Sequence, residues 1–547
     1  MFKSEKSTVA WWDTAVIYQV YPRSFKDSNG DGEGDLRGVI NEIPYLQSLG
    51  IDAIWLSPFF KSPNKDGGYD VSDPRDVDPR FGKISDAEDL IEEAHSAGIK
   101  VIFDIVPNHF SSEHLWFKAA LASKRGSPER DRFHFADGQG EGGNTPPNNW
   151  NSIFNGPAWT RVIETDGKPG QWYLHLFDSS QPDLNWENKD VSDDFEKTIR
   201  FWLDRGLDGF RIDVAHGLYK SDIHTNHRDP EGLTHALRLD LGGMDHDVRT
   251  ALLSDIPFFG QTKTHEIYRK WRTILDSYPD KRMAVAEAFL YPTSRLADYV
   301  RPDELHQVFN FDYMAVEWSA EKIRDSVNRS IQELAGVGAI PSWVMDNHDS
   351  PRVVSRLKSE DKARAFALLT HALPGAVYVY QGEELGLADG IIPDEARQDP
   401  SYIRSGGKDK GRDGARVPLP WNSKESNFGF STGTPWLPMH SSMKAHSADL
   451  QEGDSGSFLN LYRTSFALRK RLATQGVSKE LVWREGPEGI VYFTRGSGFS
   501  VLANTTDAPI DVNVHTAVMV ILESKGGASV DGTIVTVPAH TTLWLQS

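Results

Sequence analysis

No cysteine occurs anywhere in the 547-residue chain. Disulfides and thiolate metal sites are therefore excluded, and a reducing compartment, the cytoplasm, is the expected location. Long hydrophobic runs are missing as well. No segment approaches the roughly 20 apolar residues that cross a bilayer. The opening MFKSEKSTVAWWDTAVIYQV is broken by charges and lacks the apolar stretch and cleavage site of a secretory leader. Positive charge is in deficit: 59 Lys and Arg against 78 Asp and Glu leave a formal net charge of −19. Such a surface repels nucleic acid and anionic membranes and favours a neutral or cationic small molecule. There is no P-loop, and no GxGxxG opens a helix after a strand, so phosphate-binding folds lose their usual signatures.

What the chain does have is a repeated βα rhythm. Short apolar runs at 16–21, 53–58, 100–105, 209–214, 283–288, 307–311, 342–345 and 376–380 read as strands. Amphipathic stretches such as 85–98, 193–206 and 361–374 read as helices. Eight βα units predict an α/β fold, a (β/α)8 TIM barrel. The rhythm dissolves into Gly, Pro, Asn and Trp after residue 109, too long a stretch for a plain loop. A second irregular stretch, about 217–262, follows the fourth run. Past 465 the helices stop and short strand-like runs alternate with turns. The expected division is a barrel at 1–108 and 183–464, an inserted domain at 109–182 and a C-terminal antiparallel β-sandwich at 465–547.

Function in such a barrel sits at the C-terminal ends of the strands. The third run ends in Asp104, Asn108 and His109; the fourth carries Arg211, Asp213 and His216; the fifth ends at Glu287; the seventh ends in Asp346, Asn347, His348 and Asp349. One Asp at a strand end is usually a helix cap or turn former. Several carboxylates on one rim, beside Arg and His, raise one another's pKa, which costs stability and marks a functional site. Three carboxylates suit glycoside cleavage, in which one attacks and one protonates. They also suit a carboxylate-bound metal. The 16 Trp, 16 Tyr and 27 Phe include several near loops, where rings stack on sugars.

The stretches DIVPNH (104–109), GFRIDVAH (209–216), AVAEAF (284–289) and VMDNHD (344–349) resemble the four motifs of the α-amylase family, glycoside hydrolase family 13, in family order. QPDLNW (181–186), DGGYDVSD (66–73) and GRDGARVPLPW (411–421) are similar to its α-glucosidase and oligo-1,6-glucosidase branch. The resemblance implies catalytic roles for Asp213 as nucleophile, Glu287 as general acid/base and Asp349 as the third carboxylate. It implies that His109, His348 and Tyr69 bind the glucose. Arg211, two residues before Asp213 on a strand, shares its face and keeps the nucleophile ionised. Asp66 and Arg416 resemble the pair that grips the outer hydroxyls of a terminal glucose, with Arg412 competing for the same part. The implied enzyme is a retaining, exo-acting α-glucosidase on short oligosaccharides, a monomer or small homo-oligomer. Glucosyl transferases and isomerases of the trehalose synthase and sucrose isomerase types share the trio, and transporter heavy chains share the fold without it. Val214, after the nucleophile, resembles α-1,6-acting members, although a β-branched residue on a strand needs no functional reason.

DSNGDGEGDLRG (27–38) places Asp27, Asn29, Asp31 and Asp35 at positions 1, 3, 5 and 9 of an EF-hand-style loop, with Glu33 at position 7 and Gly38 where the bidentate Glu would stand. The resemblance implies a structural Ca²⁺ there; the family's chemistry needs no metal.

Overall fold

The computed structural model describes residues 10–237, 246–477 and 480–547. Eight parallel strands form its centre: β1 (Val16–Val20), β2 (Ala53–Leu56), β3 (Lys100–Ile105), β4 (Gly209–Ile212), β5 (Met283–Ala286), β6 (Gln307–Val308), β7 (Ser342–Val344) and β8 (Ala376–Tyr380). The ladder runs β6-β5-β4-β3-β2-β1-β8-β7. At the remaining seam the Ser342 hydroxyl donates to the Val308 carbonyl at 2.7 Å, so the barrel is nearly closed. Strands covered on both faces are mostly apolar, and these are buried along almost their whole length.

The helices follow from their periodicity. Lys189–Leu203 starts at Asn188, whose side chain accepts from the Asp190 N–H, and buries Val191, Phe195, Ile199 and Trp202 at helical spacing against the sheet. Ile84–Ser96 and Glu360–Ala372 form where expected. Residues 109–182 contribute a separate three-stranded sheet (Phe135–Ala136, Trp159–Ile163, Pro169–Leu174), the expected insertion after β3. The second insertion carries the helices Pro230–Ala236 and His246–Leu253.

The boundary at 465 needs correction. Residue 465 lies inside the helix Phe458–Thr474, and the Ser465 hydroxyl meets His371 Nδ1 at 2.8 Å. This is the barrel's eighth helix, packed between Ile43–Leu49 and Glu360–Ala372. A long loop after β8 delays it, which hid it from the βα rhythm. The β domain begins at Val482–Trp483. A five-stranded and a three-stranded antiparallel sheet enclose Leu502, Val512, Val535, Leu543 and Leu545. On the last strand, Thr541–Gln546, alternation sends Leu543 and Leu545 into that core. The intervening Trp544 indole donates to the Leu368 carbonyl at 2.9 Å and docks the domain on the barrel. Among the described residues no helix is long and apolar enough to cross a membrane.

Candidate active site

Register builds the centre of the site. Asp104 on β3 pairs with Arg211 on β4, and Arg211 with Val285 on β5. Arg211 is fully buried. Its Nη1 lies 2.8 Å from Asp104 Oδ1 and 2.7 Å from Asp213 Oδ1, and its Nη2 lies 2.8 Å from Glu287 Oε2. One guanidinium thus holds Asp213 and Glu287 on neighbouring nitrogens, side by side. Tyr69 and Trp55 donate to Asp104 at 3.0 and 3.2 Å, which anchors it behind the two. Burial pushes the Asp104 carboxyl up to about 7 and Asp213 well above the usual range, against the pull of Arg211. Burial thus works against the ionisation of Asp213 that Arg211 was expected to secure.

The strand ends before the nucleophile. β4 stops at Ile212, and Val214 has φ 43°, in the left-handed region. The reading of 209–214 as one strand, with Val214 unremarkable on it, is corrected here. A β-branched residue in that conformation is an outlier that costs about 1–3 kcal/mol. The turn aims the Val214 N–H at Glu287 Oε2, 3.0 Å away. Strain at Val214 is thus coupled to the placement of Glu287.

Asp349 receives two arginines. Arg412 Nη1 and Arg416 Nη2 both reach its Oδ1, at 2.8 and 2.7 Å. Burial opposes ionisation of Asp349, but His348, Arg412 and Arg416 hold it well below the carboxylate range. His348 stacks face to face on Tyr69, with ring centres 5.2 Å apart and planes 6° apart. Gln19 and Asp349 flank the His348 ring nitrogens at 2.7 and 3.2 Å. Arg416 is not the partner of Asp66. Arg412 is, at 2.7 Å, and its Nε is pinned by Asp399 at 2.6 Å. Arg416 instead donates to the His348 carbonyl at 2.9 Å, beneath the site. The competing assignment is the one the structure favours.

The inserted domain closes the other side. Gln181 Nε2 lies 3.0 Å from Asp66 Oδ2 and 3.1 Å from His109 Nε2. Burial lowers His109 to about 4, so its ring is neutral at pH 7. Lys220 Nζ, fully buried, meets Asp183 at 2.9 Å and Asn108 at 2.8 Å and ties both insertions to the rim. Gln181 and Asp183 went unassigned although both fall within QPDLNW; the motif indicates a branch and not which side chains face inward.

A cavity of about 330 Å³ gathers Asp66, Tyr69, His109, Asp213, Glu287, Asp349 and Arg412 on its lining. Arg211, His348 and Arg416 stand behind that lining and position it.

The loop at 27–35 is wound as expected but fits a cation only in part. Asp27 accepts from the N–H groups of Gly30 and Gly32 at 2.7 and 2.8 Å, Asn29 from Asp31, and Asp31 from Glu33, each at 2.9 Å. Glu33 pairs with Arg23 at 2.7 Å, and Asp35 caps the next helix through the Gly38 N–H at 2.7 Å. Among the described residues no three His, Asp or Glu side chains gather as a metal site.

A carboxylate trio on the rim of a nearly closed parallel barrel, walled by hydroxyl-binding groups, defines a carbohydrate-cleaving barrel enzyme. Residues 19–476 match the α-amylase catalytic domain family. The chain is 36% identical over 497 residues to an oligo-1,6-glucosidase of Parageobacillus thermoglucosidasius, covering 84% of each protein. It is 38% identical over 511 residues to a probable α-glucosidase of Rhizobium meliloti (strain 1021), covering 89% of this chain and 87% of that one. Among solved structures, the α-glucosyl transfer enzyme XgtA superposes with a TM-score of 0.87 at 34% identity, covering 99% and 100% of the two chains. The chain belongs to the α-amylase family, glycoside hydrolase family 13, and is a glycoside hydrolase.

Proposed function

We propose that this enzyme is a retaining, exo-acting α-glucosidase that releases α-glucose from the non-reducing end of maltose- or isomaltose-type substrates. The observation that carries the reading is the pairing of Asp213 and Glu287 on neighbouring nitrogens of Arg211, which suits the close spacing of a double displacement. Asp213 attacks the anomeric carbon while Glu287 protonates the leaving oxygen. Glu287 then takes a proton from water, which displaces Asp213 and restores the α-configuration. Asp349, held ionised, accepts hydrogen bonds from sugar hydroxyls. The Asp66–Arg412 pair ends the cavity and admits one terminal glucose.

Time-resolved anomer analysis with maltose and isomaltose tests this. The non-reducing glucose is expected to appear as the α-anomer, and β-glucose in excess of the share that the reducing-end unit contributes would refute retention. The ratio of the two rates decides whether Val214, which lines the cavity, marks α-1,6 preference. Transfer is a second reading, favoured by the similarity to XgtA; accumulation of a new di- or trisaccharide with little free glucose would establish it.

For loop 27–35 we propose a structural divalent cation held by Asp27, Asn29 and Asp31, supported by the EF-hand-like winding. Calcium is expected to raise Tm by about 5 °C at saturation. No shift with calcium or chelator would end that reading and leave Asp35 as a helix cap.

A further inference from the structure

Two glutamates stand side by side just past β8, and they differ in how they are satisfied. Glu384 takes three donors: the Tyr18 and Tyr45 hydroxyls on Oε1 at 2.8 and 2.9 Å, and the Gly382 N–H on Oε2 at 2.8 Å. Glu383, 2% exposed, takes the Tyr462 hydroxyl on Oε1 at 2.9 Å, and its Oε2 has no donor. Asp346, 1% exposed and two residues past the end of β7, shows the same deficit. Its Oδ2 accepts from the Val353 N–H at 2.7 Å, and its Oδ1 has no donor. Buried acceptors without donors are costly. Yet the two carboxyl groups are in hydrogen-bonding contact with each other. Two carboxyl oxygens can bond only when one carries a proton. Gly382 allows the approach: its φ is 88°, and a Cβ there would meet Arg352 Nη1 at 2.9 Å.

The other charged and titratable groups nearby are bonded elsewhere. Arg356 gives Nη2 to the Met345 carbonyl at 2.7 Å, and its Nη1 has no partner. Arg352 gives Nη1 and Nη2 to the Gln381 and Ala415 carbonyls, each at 2.8 Å. Asp389 accepts from the Arg352 N–H at 2.9 Å, and the Tyr380 hydroxyl donates to the Ala415 carbonyl at 3.0 Å. Burial, and after it the charge of Asp346, pushes the Glu383 carboxyl well above its usual range, so Glu383 is the proton holder of the two. Asp346 in turn closes the base of the turn that presents the third carboxylate. Between Asp346 and Val353, the Asn347 side chain accepts from the Asp349 N–H at 2.9 Å, and the Ser350 hydroxyl accepts from the Asn347 N–H at 3.1 Å. Repulsion between two ionised carboxylates would open this turn at its base.

We propose that Glu383 is a positioning residue for Asp349: its carboxylic acid donates to Asp346, and this shared proton clamps the 346–353 turn, through Tyr462, to the barrel's eighth helix. The role of Asp349 rests on the α-glucosidase reading; the shared proton does not.

The native enzyme then keeps a proton on Glu383 that the unfolded chain releases above about pH 4.3. Wild-type stability falls as pH rises from there until Glu383 itself ionises, and a variant with no proton to lose escapes that fall. Glu383→Gln keeps a donor for Asp346 and an acceptor for Tyr462. Its Tm minus that of wild type is expected to grow by about 3 °C between pH 5 and 8. Its kcat/KM on maltose and isomaltose should stay within about threefold of wild type. Glu383→Leu offers no donor and leaves Asp346 as a buried, unpaired charge, so it is expected to lose about 100-fold, mainly in kcat. A Tm difference that stays flat over that pH range overturns the shared proton. A folded Glu383→Gln as impaired as Glu383→Leu, or a folded Glu383→Leu with wild-type kcat/KM, overturns the positioning role. If Glu383→Leu does not fold, the pH slope and the activity of Glu383→Gln decide. If the wild type cleaves neither sugar, the glucosidase reading falls, and the Tm comparison still decides whether the proton is shared.

Discussion

Replacing Asp213 by Asn is expected to lower kcat on maltose and isomaltose by about 10⁴-fold or more, with Tm within a few degrees of wild type. An amide cannot form the glucosyl ester, and covalent catalysis fails as a unit when its nucleophile is lost. Folding should survive because Arg211 keeps Asp104 at 2.8 Å and Glu287 at 2.8 Å. Two companions separate the nucleophile from its neighbour. Asp213→Gly with added azide should yield β-glucosyl azide, since a single displacement inverts the anomeric carbon. Glu287→Gln should fail on maltose but still be glucosylated by α-glucosyl fluoride, whose leaving group needs no proton, giving a burst of fluoride ahead of slow ester hydrolysis. Stopped-assay kinetics and product NMR read both. Activity of Asp213→Asn within tenfold of wild type would remove the nucleophile from Asp213 and with it the retaining mechanism.

Much of this centre was legible because it depends on regular structure. The barrel rule put chemistry at the strand ends, and Asp213 stands one residue past the end of its strand, in contact with Arg211. Register then explains what spacing alone left unassigned. Asp104 stands at a strand end like its neighbours, but only its pairing opposite Arg211 shows that it shares the guanidinium. The turn at Val214 was invisible because GFRIDV reads as a continuous apolar strand, and β propensity carries no information about a positive φ imposed by the fold. The end of the barrel was misplaced for a related reason. The loop between Tyr380 and Phe458 carries only short helical turns, so the last helix was separated from the rhythm that identified the others. The acidic loop near Asp27 shows the converse: the Asp35 cap is a local contact three residues on, but the pairing of Glu33 with Arg23 is set by the fold.

Arg412 and Arg416 mark where sequence periodicity stops helping, and they give the second large expected effect. They lie four residues apart on an irregular loop, where neither the strand nor the helix period says which one faces the cavity. The structure places Arg412 on the lining, bound to Asp66, Asp349 and Asp399, and Arg416 below it at 2% exposure, bound to Asp349 and the His348 carbonyl. Arg412→Ala is expected to cut kcat/KM on maltose by about 10³-fold, because it removes a half-buried charge from three carboxylates and a donor pair from the glucose site. Loss of activity alone would not separate grip from scaffolding, so the decisive readout is discrimination. The wild type should reject a maltose lacking the 4-hydroxyl on its non-reducing ring by about 10³-fold, since the deoxy sugar leaves buried polar groups unpaired. In Arg412→Ala that factor should fall to about ten, and Asp66→Ala should do the same. Arg416→Ala should lose activity through displacement of Asp349 while keeping the discrimination largely intact. The reverse pattern, with discrimination lost in Arg416→Ala and kept in Arg412→Ala, would return the hydroxyl-gripping role to Arg416 and require the loop to rearrange when glucose binds.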